Sequence, residues 1–361
     1  MKTVFFSSPI GQEGSEVRES SDNLLKYIIE PVCSKLGYEA LRSDKIAGAS
    51  SITYEITKKL LESDLVIFDL SYQNPNVMYE LGIRHTLGKP AILLLRDGER
   101  IPFDVATVNI IFYSLTNIRS VETTKKKLET SIKYYETEKV ANSPVVDFHL
   151  SSKILANQKD NELSLSTEEN SLLRTIADRL ATLETQIKLV GNEVTNKGQK
   201  TEYSRDIFIV HGHDGELKIE LARFLERLGF NPIILHEQPD KGQTIIQKLQ
   251  NEGAKVGYAF ILHTPDDEGR AKNLDSELQP RARQNVIFEH GMFVGQFTHQ
   301  RVCAIVKEGV EIPTDLSGIV YKRIPKDGGI DSIALSLIQE LRSAGYVVDA
   351  NRVFGPSDNL K

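Results

Sequence analysis

One seven-residue pattern, Asn-Val-x-aromatic-Glu-x-Gly, occurs twice in this chain, as "NVMYELG" at residues 76–82 and as "NVIFEHG" at residues 285–291. Each copy places an ionisable residue, Glu80 or Glu289, inside an otherwise apolar run. Each copy also follows the third strand-like run of its half of the chain. The repeated pattern therefore indicates that one fold is built twice along this sequence.

The runs around each copy indicate the fold class. In the first half, "TVFFSS", "YEALRS", "LVIFDLS", "PAILLLRD" and "IIFYS" alternate with helical stretches, and "DIFIVHG", "NPIILHE", "YAFILHTPDD", "RVCAIVKEG" and "GIVYKRI" do so in the second. Strands rich in Val, Ile and Phe that alternate with helices predict βαβ units and a parallel sheet covered on both faces. The expected fold is α/β, with two doubly wound, flavodoxin-like domains.

The 361 residues are long enough for two domains. We expect domains at 1–138 and 205–361, joined by a polar linker at 139–204 with a helix at about 168–195. The linker helix has apolar residues three and four apart: Leu173, Ile176, Leu180, Leu183, Ile187, Val190 and Val194. This spacing fits either a coiled-coil seam, which would make the protein a homo-oligomer, or an amphipathic helix packed on a domain. Gly191 weakens its last turn.

The composition narrows the class of protein. A net charge of −6 and a pI near 5.8 argue against a general nucleic-acid binder. The sequence has neither an apolar run long enough to span a membrane nor a secretory signal, so a cytoplasmic protein without membrane contact is expected. Cys33 and Cys303 lie far apart in apolar segments and are interpreted as buried side chains rather than a disulfide.

Polar residues follow the strands of the second half where a doubly wound fold binds ligands, at the carboxyl ends of its strands. The candidate substrate-binding residues are His211, Gly212, His213 and Asp214 after the first strand, and Lys241, Gly242 and Gln243 after the second. The third strand ends in "HTPDDEG". A glycine-containing turn before a helix can hold phosphate, whereas "HGHD" without a further ligand is a weak metal signal, so no metal is expected.

The repeated Glu has two interpretations. On a helix, Asn285 and Glu289 share one face, and Phe288 gives the carboxylate a drier setting that strengthens its attraction for a developing cation. Alternatively, each Glu only favours its helix start through the helix dipole. The duplication of the whole pattern favours the functional interpretation.

The second half resembles the TIR-like domain of bacterial anti-phage effectors, through "IFIVHGHD", "ARFLERLGFNPIILHEQPDKGQTIIQKL", "AFILHTPDDEG" and "RARQNVIFEHGMFVG". The resemblance implies hydrolysis of NAD+ between nicotinamide and ribose, with Glu289 as the essential carboxylate. NAD+ would be the substrate, and no cofactor is implied. Phe288 or Tyr258 would pack against a base. The group includes effectors activated by cyclic oligonucleotides, which makes a nucleotide activator an expected partner.

The first half resembles nucleoside 2-deoxyribosyltransferase-like domains, through "SSPIG", "SDLVIFDLSYQNPNVMYELG" and "GKPAILL". This resemblance implies Glu80 as a nucleophile, Asp69 near the base, and Asn76 in the substrate site. The domain is either a nucleotide sensor or a degenerate enzyme.

These observations predict an NAD+ glycohydrolase that acts as an anti-phage effector, activated by oligomerisation or by a nucleotide signal. Two alternatives stay open. The chain could bind nucleotides as a signalling module without turnover, or it could transfer or hydrolyse a nucleoside through Glu80.

Overall fold

The computed structural model describes residues 2–45, 52–102, 105–106, 108–138, 204–234, 256–269, 278–313, 316 and 321–354. All of them belong to one compact unit, which spans residues 1–147 and 204–361. The predicted linker helix with its heptads, and therefore the predicted oligomer seam, lies outside the described residues.

The first domain alternates strands and helices. Its strands are β1 (Lys2–Ser7), β2 (Tyr38–Arg42), β3 (Leu65–Asp69), β4 (Ala91–Arg96) and β5 (Ile110–Tyr113). Its helices are α1 (Glu16–Leu24), α2 (Glu30–Lys35), α3 (Ile52–Glu62), α4 (Pro75–Thr86) and α5 (Ile118–Glu138), and a π-helical segment (Leu25–Ile29) joins α1 to α2.

The second domain repeats this order. Its strands are β6 (Asp206–Val210), β7 (Asn231–Ile234), β8 (Tyr258–His263), β9 (Asp267–Gly269), β10 (Gln279–Arg281), β11 (Val302–Lys307) and β12 (Lys322–Ile324). Its described helices are α6 (Gly215–Arg227), α7 (Gln284–Phe297), α8 (Ala334–Ser343) and α9 (Asn351–Phe354). Strands β9 and β10 form a short antiparallel hairpin between β8 and α7, which the sequence analysis does not predict.

The two sheets have the same topology. The strand order is β2-β1-β3-β4-β5 in the first and β12-β11-β8-β6-β7 in the second, and all neighbours within both sheets are parallel. Each sheet therefore has the flavodoxin-like order, with a switch point between its first and third strands where such folds bind ligands. The predicted fold of two doubly wound parallel-sheet domains is confirmed.

The repeated sequence pattern forms the contact between the two domains. Helix α4 carries the first copy and α7 the second, and the helices touch where each pattern ends in glycine. A Cβ atom on Gly82 would lie 2.3 Å from the carbonyl oxygen of Phe288, and one on Gly291 would lie 2.0 Å from the carbonyl oxygen of Tyr79. Because no side chain fits in either gap, both glycines are required for this backbone approach.

The contact is nearly symmetric and the helices run in the same direction. Gly82 meets α7 at residues 288–292, whereas Gly295 meets α4 farther along, at Ile83 and Thr86. The hydroxyl of Thr86 donates to the carbonyl oxygen of Met292 at 3.2 Å. Because α4 and α7 each begin beyond the carboxyl end of a central strand, the carboxyl edges of both sheets lie at the same end of the unit.

Helix α4 is also fixed to its own domain by a buried guanidinium. The side chain of Arg84 is fully buried and donates to the backbone carbonyls of Leu60, Ser63, Asp64 and Pro90. Desolvation lowers the pKa of Arg84 to about 10, which still leaves the group protonated at neutral pH. One guanidinium therefore donates hydrogen bonds to four backbone carbonyls.

Replacing Arg84 with methionine is expected to lower the free energy of unfolding by about 3 kcal/mol, because the carbonyls lose their donor inside the protein. Urea unfolding of the full chain measures the effect. The matched control is Arg119→Met, at an exposed position of α5, which should leave the unfolding midpoint unchanged. Equal midpoints for the two variants would show that Arg84 does not anchor α4.

Candidate functional site

The candidate site lies at the carboxyl edge of the second sheet. The loop after β6 carries the predicted residues His211, Gly212, His213 and Asp214. The carboxylate of Asp214 caps α6 by accepting from the amide of Leu217 at 3.0 Å, and it lies 3.6 Å from the ammonium of Lys307. Asp214 thus uses one of the amides that the sequence analysis assigns to phosphate, and its main contribution is to fix the loop.

Asp266, just after β8, joins that loop to the third strand. One carboxylate oxygen accepts from the amide of His213 at 3.0 Å, and the other accepts from the hydroxyl of Thr264 at 2.7 Å. A Cβ atom on Gly212 would lie only 1.7 Å from Asp266 Oδ2. Gly212 is therefore needed so that the carboxylate can reach the backbone at the switch point.

Helix α7 reaches the same place through Arg283, the residue that precedes its first turn. The guanidinium of Arg283 contacts the imidazole of His213. Glu289 lies in the second turn of α7 and is half-buried, whereas its neighbours Phe288 and His290 are buried. The structure therefore brings the loop after β6, the end of β8 and the start of α7 together.

Both repeated glutamates lie in the second turn of their helices. This position tests the alternative that each Glu only favours its helix start through the helix dipole. Neither α4 nor α7 has an acidic residue in its first turn. The side chain of Asn74 caps α4, and α7 has no side-chain cap. Glu80 and Glu289 therefore do not act as helix-start residues.

A buried pair of histidines lies beneath this edge. Nε2 of His263, the last residue of β8, is 3.1 Å from Nδ1 of His290, and both rings are almost fully buried. Desolvation lowers the pKa of His263 to about 4 and holds the pKa of His290 well below its usual value. The ring of His290 also packs edge-on against Tyr79 of α4, with centroids 5.3 Å apart. The neutral pair thus contacts both domains.

This pair is expected to make stability depend on pH. Because the folded pKa of His263 is about 4 and an unfolded histidine titrates near about 6.5, the unfolded state binds more protons between these values. The stabilisation is complete above pH ~6.5 and is lost as pH falls towards ~4, by about 3 kcal/mol. Urea unfolding at pH 5 and pH 7.5 measures the part of the loss that falls between these values, about 2 kcal/mol. The loss should shrink in His263→Gln and persist in His213→Gln, at an exposed site; an unchanged loss in His263→Gln contradicts the assignment.

Two aromatic residues do not lie where the resemblance implies. Phe288 is 1% exposed and packs edge-on against His85 of α4, so a base cannot stack on it in this structure. Tyr258 is also 1% exposed, and it begins β8 at the edge of the sheet opposite the candidate site. Both rings have packing roles: Phe288 packs against α4, and Tyr258 packs in the core beside Tyr346.

Other predicted residues lie outside or beside this arrangement. Lys241, Gly242 and Gln243 fall outside the described residues, and Asn285 is half-buried in the first turn of α7. Arg283 and the His263–His290 pair were not predicted from the sequence. The available signal for Arg283 was a basic residue two positions before the repeated pattern. The histidine pair had no such signal, because its members are 27 residues apart.

The first domain places Asp69 in a buried network at the end of β3. Its carboxylate accepts from the hydroxyl and amide of Ser71 at 2.6 and 3.1 Å, and from the hydroxyl of Tyr113 at 3.1 Å. Desolvation raises the pKa of Asp69 to about 6 despite these donors. Because Asp69 is 1% exposed, the network fixes the strand ends and does not present the carboxylate to a ligand.

Asn76 and Glu80 occupy the pattern on α4. Asn76 is half-buried in the first turn, and Glu80 is 6% exposed in the second. Glu80 is thus more enclosed than its counterpart Glu289. This difference favours the second domain as the place where a carboxylate can meet a substrate.

Comparison with known proteins finds a family match for the second domain, which contains the candidate site. Residues 206–326 match the family model described as "CAP12/Pycsar effector protein, TIR domain". These residues are similar to the TIR domain of that group. The match covers β6 to β12 of the second domain and includes the whole of the candidate site.

The chain is similar to other proteins over part of their length. It is 42% identical to protein YuaY of Escherichia coli (strain K12) over 149 residues, which are 41% of this chain and 48% of YuaY. It is 27% identical to CD-NTase-associated protein 12 of Lachnospiraceae bacterium (strain RUG226) over 116 residues, 31% of this chain and 36% of that protein. The matched region therefore spans about half or less of these relatives.

A solved structure, the CMP N-glycosidase BcmB of Clostridium botulinum, aligns over 36% of this chain and 99% of its own, with 20% identity and a TM-score of 0.27. A likeness at this score shows no shared fold, so the nature of the first domain stays a prediction. Within the described residues, no helix has the length and apolar character to cross a membrane, and no three His, Cys, Asp or Glu side chains are grouped to bind a metal ion.

Proposed function

We propose that the TIR domain cleaves NAD+ between nicotinamide and ribose, and that the protein acts in this way as an anti-phage effector. The observation that carries the proposal is the position of Glu289. Its side chain is the one partly exposed member of a buried turn, on the helix that begins beside Arg283, His213 and Asp266. The family of residues 206–326 supports the same assignment.

The chemistry requires little more than a well-placed carboxylate. Nicotinamide in NAD+ is already cationic and leaves without a general acid, while positive charge develops on the ribose. Glu289 would orient the ribose and stabilise that charge, and its half-buried position strengthens the attraction relative to bulk water. Arg283 next to the loop after β6 would hold a phosphate of the same substrate. Water would accept the ribosyl group.

Activation would depend on assembly or on a nucleotide signal. The heptad spacing at residues 173–194 supports assembly, since linking chains raises the local concentration of their TIR domains. The first domain supplies a second carboxyl edge at the same end of the unit, where a signal molecule could bind. The protein would act where NAD+ is available, which fits the cytoplasm.

The test follows nicotinamide release from NAD+ by the full chain, with and without a panel of cyclic nucleotides. We expect release, with ADP-ribose or its cyclised form as the second product. Glu226→Gln, which changes an exposed carboxylate at the far end of α6, is the matched control and should retain the wild-type rate. Binding of NAD+ to the full chain without turnover under every condition would contradict the proposal and favour the nucleotide-binding module.

A nucleoside-modifying activity at Glu80 is the second alternative. It predicts that a deoxynucleoside, rather than NAD+, loses its base, and that Glu80→Gln abolishes the loss. The 6% exposure of Glu80 is the observation against it, because a nucleophile must reach the anomeric carbon.

A further inference from the structure

A cleft in the first domain lies at the carboxyl ends of β4 and β5, beside the first turns of α1. It has a volume of about 220 Å³, and its lining includes Glu16, Glu19, Arg96, Ser114 and Thr116. None of the residues predicted from the sequence belongs to this lining. The cleft is separate from Glu80 in sequence and lies on different elements of the first domain.

The lining selects the chemistry of a ligand. It presents two carboxylates and one guanidinium, and Arg96 already donates to Glu16 at 3.0 Å. Hydroxyl groups of Ser114 and Thr116 add further hydrogen-bonding capacity. Such a lining favours a ligand with several donors and repels a phosphate. The cleft volume of about 220 Å³ is near that of one nucleoside. It is below the ~300 Å³ that is typical of sites for drug-sized molecules.

We propose that this cleft binds an uncharged, nucleoside-sized molecule rich in hydroxyl or amino groups, and that its occupancy is transmitted to helix α7. The regulatory half of this inference rests on the proposed function, because α7 carries Glu289. The binding half does not.

The transmission begins at Arg96. The same guanidinium nitrogen that donates to Glu16 donates to the hydroxyl of Tyr72 at 2.7 Å, and the guanidinium lies 5.7 Å from the centre of that ring. A ligand hydroxyl or amino group that donates to Glu16 competes with Arg96 for the carboxylate. The ligand therefore changes the position of the group that holds Tyr72.

Tyr72 belongs to a strained turn. Tyr72 and Gln73 have φ angles of 61° and 47°, a conformation that costs a non-glycine residue about 1 kcal/mol or more. The carboxylate of Glu99 accepts from the amide of Tyr72 at 2.7 Å and helps to hold the turn. Because external contacts maintain this conformation, a change at Arg96 shifts its balance.

The turn contacts the other domain directly. The carbonyl oxygen of Gln73 accepts from the side-chain amide of Gln284 at 2.8 Å. Gln284 is the first residue of α7 and lies five positions before Glu289. A continuous series of contacts therefore links the cleft, through Arg96, Tyr72 and Gln73, to the helix of the candidate catalytic residue.

Binding is tested by calorimetry of the full chain with each of the four ribonucleosides and its 5′-monophosphate. We expect at least one nucleoside to bind, and its monophosphate to bind about tenfold more weakly because of the two carboxylates. Glu16→Gln should weaken binding, and Glu122→Gln, an exposed change on α5, should not. Absence of binding by all four nucleosides, or tighter binding of a monophosphate, would overturn the assignment.

Transmission is tested by hydrogen exchange of the backbone amides of residues 284–291, with and without the nucleoside that binds. Occupancy should change exchange in this segment by about threefold or more, and Tyr72→Phe should remove the change while Tyr54→Phe, at an exposed tyrosine, retains it. A change that persists in Tyr72→Phe contradicts the route. Both measurements omit NAD+, so they give the same answer whether or not the TIR domain proves to be an NAD+ glycohydrolase.

Discussion

Replacing Gly291 with alanine is expected to lower the free energy of unfolding by about 3 kcal/mol, although alanine is the better helix former. The added methyl carbon would lie 2.0 Å from the carbonyl oxygen of Tyr79, and backbone on both sides leaves no flexible group to move aside. Helices α4 and α7 must separate, and this loosens the apolar core that both domains share. Urea unfolding of the full chain measures the loss.

Gly295→Ala is the matched control, since it makes the same change one turn later on the same helix. Its methyl carbon would lie 3.1 Å from Ile83 and Thr86, which is tight but can be relieved by small shifts. We expect a loss of about 1 kcal/mol or less. Gly82→Ala, with 2.3 Å to Phe288, should resemble Gly291→Ala. If Gly82→Ala and Gly291→Ala were no less stable than the Gly295→Ala control, the repeated glycines would not form the contact between the domains.

The sequence predicts the architecture because the core strands are short apolar runs bounded by turns. The fully buried strands β3 and β8 are the clearest examples, and the next described α-helix after each of them carries the repeated pattern. The position of that helix beyond the carboxyl end of the third strand could therefore be predicted. The three-residue strands β9 and β10 could not, since they have no apolar periodicity.

Only part of the role of the repeated pattern could be predicted from the sequence. The duplication favoured a function for both glutamates, but the structure shows that the glycine and the aromatic residue of each copy serve the packing of α4 on α7. This packing also explains why Phe288 is not available to a base. Glycine at the end of both copies was a signal for close approach, and its partner could not be identified before the helices were placed together.

Site contacts between distant loops were not predictable for a similar reason. Arg283 meets His213 across 70 residues, and Asp266 meets it across 53. Neither pair has a spacing that marks it in sequence. The edge of the sheet could be predicted, but the pairs that form there depend on loop conformation.

Replacing Glu289 with glutamine is expected to reduce nicotinamide release by about 1000-fold, the scale on which one electrostatic group acts in a transition state. Glutamine keeps the size and the half-buried position but loses the charge that would stabilise the ribosyl cation. Binding of NAD+ should change by about threefold or less, because the charge is needed mainly in the transition state. Glu80→Gln makes the same change in the other copy of the pattern and should leave the rate unchanged.

The most direct test is therefore the rate of nicotinamide release by the wild-type chain, Glu289→Gln and Glu80→Gln, measured side by side with NAD+ and the cyclic-nucleotide panel. We expect release by the wild type and by Glu80→Gln, and its loss in Glu289→Gln with NAD+ binding retained. Release that survives in Glu289→Gln, or that is lost only in Glu80→Gln, would contradict the role proposed for Glu289.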